Sequence, residues 1–181
     1  MKSQIDMLTK RRSIRSYQNT PVEKELVDTM VRAALLSPTS KGIHSRCITV
    51  VDDPGTIATL AECKAHGADF LPGAPLAFVV AADTERASAW IEDASIAAIT
   101  IQYAAEELGL SSCWIQIRGR KRNDGVMASD YIKRTLSLPE PMEVEVIVSV
   151  GYAAETLEPH SDDELPWDSI RYNSYQKPYF G

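Results

Sequence analysis

Three arginines and a serine fall within five residues near the N-terminus, Arg11-Arg12-Ser13-Ile14-Arg15. Guanidinium forks and a hydroxyl donor are the inventory that holds a phosphate monoester, whose charge at neutral pH is close to minus two. The same residues also suit a solvated basic turn at a helix end. Ser37-Pro38-Thr39-Ser40-Lys41-Gly42 is a second stretch of interest, since small hydroxyl residues and a glycine let a backbone approach a flat ligand. It equally makes an ordinary helix-to-strand loop. Gly109 to Arg118 holds a strand whose end offers Gln116 and Arg118 as donors, or a buried strand with Trp114 in the core. Arg118-Gly119-Arg120-Lys121-Arg122 carries four basic residues in five, suited to an NADPH phosphate or nucleic acid, or simply to a solvated loop.

Other chemistries lack their residues. His44, His66 and His160 are too widely spaced for a metal-ligand pair. Cys47, Cys63 and Cys113 are odd in number and form no CxxC, which favours reduced thiols in a cytoplasmic protein. No glycine-rich dinucleotide loop or Walker phosphate loop is present. The 181 residues carry a net charge of −6, and the pI is near 5.1. Such an acidic surface argues against nucleic-acid binding but not against a local basic pocket. The first residues have no apolar secretory run, and the longest apolar stretch, Leu76 to Ala82, is far too short for a bilayer. No membrane association is expected.

The elements that must position these residues follow from periodicity. A short helix is predicted over Ser3–Lys10. Thr20-Pro21 opens a second, with Thr20 as cap and Glu23 completing a capping box. Ile48–Val51, Leu76–Ala82, Cys113–Ile117 and Val144–Val150 read as strands, the second buried on both faces. Helices are predicted over about Thr56–His66, Glu85–Leu108 and Ala128–Leu136, with Gly109 capping the long one. The long helix has little polar surface, so it lies in a core or interface. Helices join successive strands, which points to one domain with a mixed sheet flanked by helices. The tail from Tyr152 carries Leu165, Trp167, Ile170, Tyr172, Tyr175, Tyr179 and Phe180, apolar surface that is costly to leave in water. A partner subunit is the natural cover.

In this order the segments resemble the nitroreductase family of flavoproteins. Arg11 to Tyr17 is similar to the family's N-terminal signature, and Ala33 to Ser40 to its second motif. Trp90 to Ala98 resembles the central helix, Leu108 to Ile115 the following strand, and Val148 to Tyr152 the last core strand. Leu165 to Tyr172 resembles the tail of a small-protein branch. Where the second motif usually continues with asparagine and then Gln-Pro-Trp, this chain has Gly42-Ile43-His44-Ser45-Arg46.

The resemblance implies an α+β fold around a mixed sheet, spanning residues 1–181, built as an intertwined homodimer. Residues 155–181 would be exchanged onto the partner. It implies FMN at the dimer interface. Arg11, Arg12 and Ser13 would hold the phosphate and ribityl end, with Arg15 at the pyrimidine edge, stabilising the reduced flavin. Pro38, Thr39 and Ser40 would come from the other subunit, Gly42 would also bind the cofactor, and Ile115 and Gln116 would lie near the reactive side of the ring. The implied activity is ping-pong transfer of a hydride from NADH or NADPH through FMN to a nitroaromatic, quinone or similar acceptor, with no side-chain catalyst. The atypical loop keeps two alternatives open: an FMN storage or sensing module, and a specialised flavin enzyme for reductive dehalogenation or flavin breakdown.

Overall fold

The apolar run at Leu76 becomes an interior strand. A computed structural model describes residues 3–179. Four strands form one sheet: β1 (Arg46–Val51), β2 (Leu76–Asp83), β3 (Ser111–Gln116) and β4 (Met142–Gly151). Their order is β1-β2-β4-β3, and every ladder is antiparallel. Only the single bridge between Ser13 and Ser112 is parallel among the described residues, so the expected mixing of directions is confined to that edge. Helical connections suit this order because β2 and β3 run the same way with β4 between them. A crossover helix, α4 (Trp90–Glu107), joins them.

Each sheet face has its own core. On one face, Ile57 and Leu60 of α3 (Pro54–Ala61) and Ile132 of α5 (Ala128–Leu136) pack on Val79, Ile115 and Ile147. On the other, Met30 and Ala34 of α2 (Lys24–Leu36) and the small residues of α4 pack on Phe78, Val80 and Val148. Alanines at positions 94, 97, 98 and 105 let α4 approach closely, and all four are fully buried. The long helix is therefore the core element its composition predicts. Gly151 marks another close approach: an added Cβ would lie 2.7 Å from Cδ of Pro75.

Helix boundaries follow local hydrogen bonds. Asp53 caps α3 by accepting from Thr56 N–H at 2.7 Å. Gly109, in the left-handed region at φ +79°, ends α4 as expected. The second helix differs from expectation. It starts at Lys24 with Glu23 as N-cap and no side-chain cap. The Glu23 carboxylate accepts from the Tyr152 hydroxyl at 2.7 Å instead of closing a capping box with Thr20. The long helix also starts late, because Asp83 accepts from the N–H groups of Glu85 and Arg86 and holds that stretch as a turn.

The chain forms two compact units, Arg12–Leu157 and a smaller one of residues up to Arg11 with those from Glu158. The smaller unit contains α1 (Gln4–Lys10), capped by a reciprocal Ser3–Asp6 box. His160 N–H donates to the Thr9 carbonyl at 2.9 Å, joining the tail to this helix. A hairpin of β5 (Arg171–Tyr172) and β6 (Ser174–Pro178) ends it. Its aromatics remain open, with Trp167 49% and Tyr175 81% exposed. Phe180, expected to pack with them, lies outside the described residues. No helix among the described residues is long and apolar enough to cross a membrane.

Candidate functional site

The basic N-terminal segment is pinned along the open edge of the sheet. Ser13 forms the bridge to Ser112, and Ile14 N–H donates to the Ser112 carbonyl at 3.2 Å. Ile14 is buried, while Arg12, Ser13 and Arg15 on either side are not. The Glu155 carboxylate takes the N–H groups of Arg15 and Ser16 at 2.6 and 3.0 Å. Tyr17 locks the turn from beneath, its hydroxyl 2.7 Å from the Ile14 carbonyl and 2.8 Å from Ser149 Oγ. Burial raises the Tyr17 phenol well above its ordinary range. The Arg15 guanidinium reaches the Ser13 carbonyl at 3.3 Å and lies 5.9 Å from the Phe70 ring centroid. It has no carboxylate ion pair among the described residues. Arg11 ends α1 as its C-cap and belongs to the smaller unit.

The Pro38–Gly42 loop is held over the start of α4. Asp93, 2% exposed, accepts the Ser40 N–H at 2.8 Å. Arg46 reaches back from β1 to the Ser37 hydroxyl and carbonyl. Partial burial lowers the Arg46 pKa, and the Asp93 charge opposes that shift. Three buried oxygens here have no hydrogen-bond partner: Thr39 Oγ1, Ser45 Oγ and Asp93 Oδ2. Lys41 and His44 adopt left-handed φ of 54° and 52°, and Gly42 has φ +66°. Left-handed backbone at two non-glycine residues, with unmet polar atoms on the loop and on Asp93 of α4, makes this segment a candidate site.

The same open edge of β3 continues beyond this segment. Gln116 directs its carbonyl outward, where Lys64 Nζ donates at 3.2 Å. Alternation then turns the backbone of Ser112 and Trp114 the same way. Between Trp114 and Gln116, the Ile115 side chain is 1% exposed within the core and its backbone pairs with Ile147. Its half-buried neighbours Trp114 and Gln116 carry the surface. Trp114 Nε1–H donates to Gln116 Oε1 at 2.9 Å, and Gln116 Nε2 donates to Glu145 Oε1 at 3.0 Å. Glu145 is the extra residue of a β-bulge, since Val80 pairs with Val146 and Ala81 with Val144. The bulge re-aims this buried carboxylate onto Gln116 and onto Arg118 Nε, 2.7 Å away. Beside it a cleft of about 460 Å³ is lined by Lys64, His66, Trp114, Gln116, Arg120 and Lys121.

The model of the nitroreductase family matches residues 8–65 and 55–152. The chain belongs to the nitroreductase family. An FMN-dependent nitroreductase from Clostridium difficile R20291 is 45% identical and superposes with a TM-score of 0.93, covering 95% of this chain and 100% of that one. A Methanothermobacter thermautotrophicus protein named for NADH dehydrogenase and NAD(P)H nitroreductase is 30% identical, over 83% of this chain and 78% of its own. An FMN reductase [NAD(P)H] from Bacillus subtilis is 30% identical over 62% of this chain and 53% of its own length. The nitroreductase motifs at Arg11, Pro38 and Ile115 do not point to Asp93, Glu155 or Glu145, which anchor them. Nothing marks Glu155 in the sequence. An acid among the small residues of the central helix could have marked Asp93, since a buried carboxylate there needs a partner.

Proposed function

We propose that the protein is an FMN-dependent NAD(P)H oxidoreductase acting on nitroaromatics, quinones or similar acceptors. The observation that carries this is the pinning of Ser13–Arg15 at Ser112, which fixes a hydroxyl and a guanidinium at one end of the β3 edge whose other end presents the outward carbonyl of Gln116. The donor set fits a flavin mononucleotide: cations and a hydroxyl for its phosphate end, and an amide edge for its ring. The similar FMN-dependent and NAD(P)H-named proteins support the same reading. Bound FMN supplies two-electron transfer between nicotinamide and acceptor. Arg12 and Ser13, with Arg11 by its motif position, hold the phosphate and ribityl end. Arg15, free of a carboxylate ion pair among the described residues, stabilises negative charge at the pyrimidine edge. Gln116 and Trp114 shape the reactive side. Donor and acceptor take turns at one place, which gives ping-pong kinetics.

The working form is a homodimer. Leu35 and Leu36 at the end of α2 are 63% and 74% exposed, and the tail aromatics are open as well. Both are apolar surfaces of the kind a second copy covers. Pro38, Thr39, Ser40 and Gly42 then serve the flavin of the partner. The purified protein is expected to be yellow, and anaerobic NADH or NADPH should bleach its visible band. A colourless protein that takes up no added FMN would overturn the assignment, and a flavin that neither nicotinamide reduces would leave only the storage or sensing reading.

A further inference from the structure

The basic run Arg118–Arg122 is uniform in sequence and divided in structure. Arg118 is committed to the buried Glu145 at 2.7 Å. Arg122 is committed as well: it donates to the Glu62 carbonyl at 2.8 Å, pairs with Asp124 at 3.2 Å and stacks over the Tyr131 ring at 4.0 Å. The two between them are different. The side chains of Arg120 and Lys121 have no ion pair or hydrogen bond among the described residues. Both line the cleft beside Gln116, together with Lys64 and His66. No carboxylate lines it. The field of this pocket is therefore opposite in sign to the −6 of the whole chain, and a low-dielectric cleft concentrates such a field. Trp114 supplies one apolar wall.

We propose that this cleft takes the 2′-phosphate of the nicotinamide donor, so that the enzyme prefers NADPH to NADH. The inference rests on the oxidoreductase reading, because the cleft opens at Gln116, which that reading sets beside the flavin ring. A phosphate monoester matches the site better than a carboxylate does. It brings close to two charges and three acceptor oxygens to three cations from two separate segments, Lys64 on one and Arg120 and Lys121 on the other. Arg118 and Arg122 are structural, and the run is not a nucleic-acid patch.

The test compares 2′,5′-ADP with 5′-AMP by calorimetry on the flavin-loaded protein, which reads binding without turnover. The wild type should bind 2′,5′-ADP at least tenfold more tightly. The double variant Arg120→Glu/Lys121→Glu should lose that margin, with 5′-AMP unchanged. Should this reversal fail to fold, Arg120→Gln/Lys121→Gln removes the charge alone. In steady state the KM for NADPH should rise at least tenfold while that for NADH and the flavin content stay the same. Equal binding of the two nucleotides by the wild type, or equal weakening of both in the variant, would overturn the proposal. So would loss of flavin from the variant, which would give the cleft to the FMN phosphate instead. NADH turnover and flavin content report on the oxidoreductase reading, and the ratio between the nucleotides reports on this one.

Discussion

Arg15 is held by its backbone rather than by its charge. Glu155 takes its N–H, and the guanidinium is left with a carbonyl and an aromatic ring. Replacing it by alanine should therefore leave the fold intact and weaken flavin binding. A charged hydrogen bond is worth about 1.5–3 kcal/mol, so Arg15→Ala should lower FMN affinity roughly ten- to a hundredfold. Fluorescence titration with FMN and the far-ultraviolet spectrum check the two halves of this statement. Tyr17 gives a pH dependence. Its phenol ionises above the ordinary value of 10.0 because it is buried. The unfolded chain titrates at about 10, so this contribution to stability is complete below that pH and is lost as pH rises towards the folded value. Urea midpoints should fall above about pH 10, and Tyr17→Phe should flatten that fall. An unchanged slope in the variant would assign it to other groups.

At the scale of elements, the loop before β1 depends on α4 through one carboxylate. Asp93→Ala leaves the half-buried Ser40 N–H without its acceptor and should cost about 1–3 kcal/mol in urea unfolding. Asp93→Asn keeps an acceptor oxygen and should cost less, so equal losses would argue against the hydrogen bond as the cause. Gly151→Ala drives a methyl into Pro75 and towards Tyr17. It should destabilise by about 1–3 kcal/mol, read as a lower urea midpoint at unchanged slope. Most elements are legible in the sequence because their signals are local: α5 occupies Ala128–Leu136 as expected, and β2 is apolar on both faces. The strand order is not legible, since β4 enters between β2 and β3 for reasons of packing across the sheet. The start of α2 is missed for a similar reason, because Glu23 is taken by Tyr152, far along the chain. The candidate site shows the same division. Arg15 and Ser13 are visible as a cluster, whereas the carboxylates that aim the site, Glu145 and Glu155, act through a bulge and a distant backbone contact that spacing does not encode.

On the scale of the whole molecule, the two compact units bear different apolar surfaces. The larger exposes Leu35 and Leu36, and the smaller exposes Trp167, Ile170, Tyr172 and Tyr175. In the dimer proposed above both are covered. Gel filtration with light scattering should give twice the 20.0 kDa chain mass. A chain ending at Leu157 should lose the dimer and its bound flavin together. A truncated protein that stays dimeric and yellow would remove the tail from the interface.

The position of β4 also governs how the protein is made. Phe78 in β2 pairs with Val148 in β4, so the two central strands meet only after everything between them has been synthesised. Until then β2 can pair with β1 alone, leaving one edge of an apolar strand bare on the nascent chain. Such an edge invites association with other chains. Pairing across so long a separation is also slow to nucleate. The middle strand is thus inserted after β1, β2 and β3 have been made, and chaperone binding during synthesis should concentrate on Leu76–Asp83 until Gly151 has emerged from the ribosome.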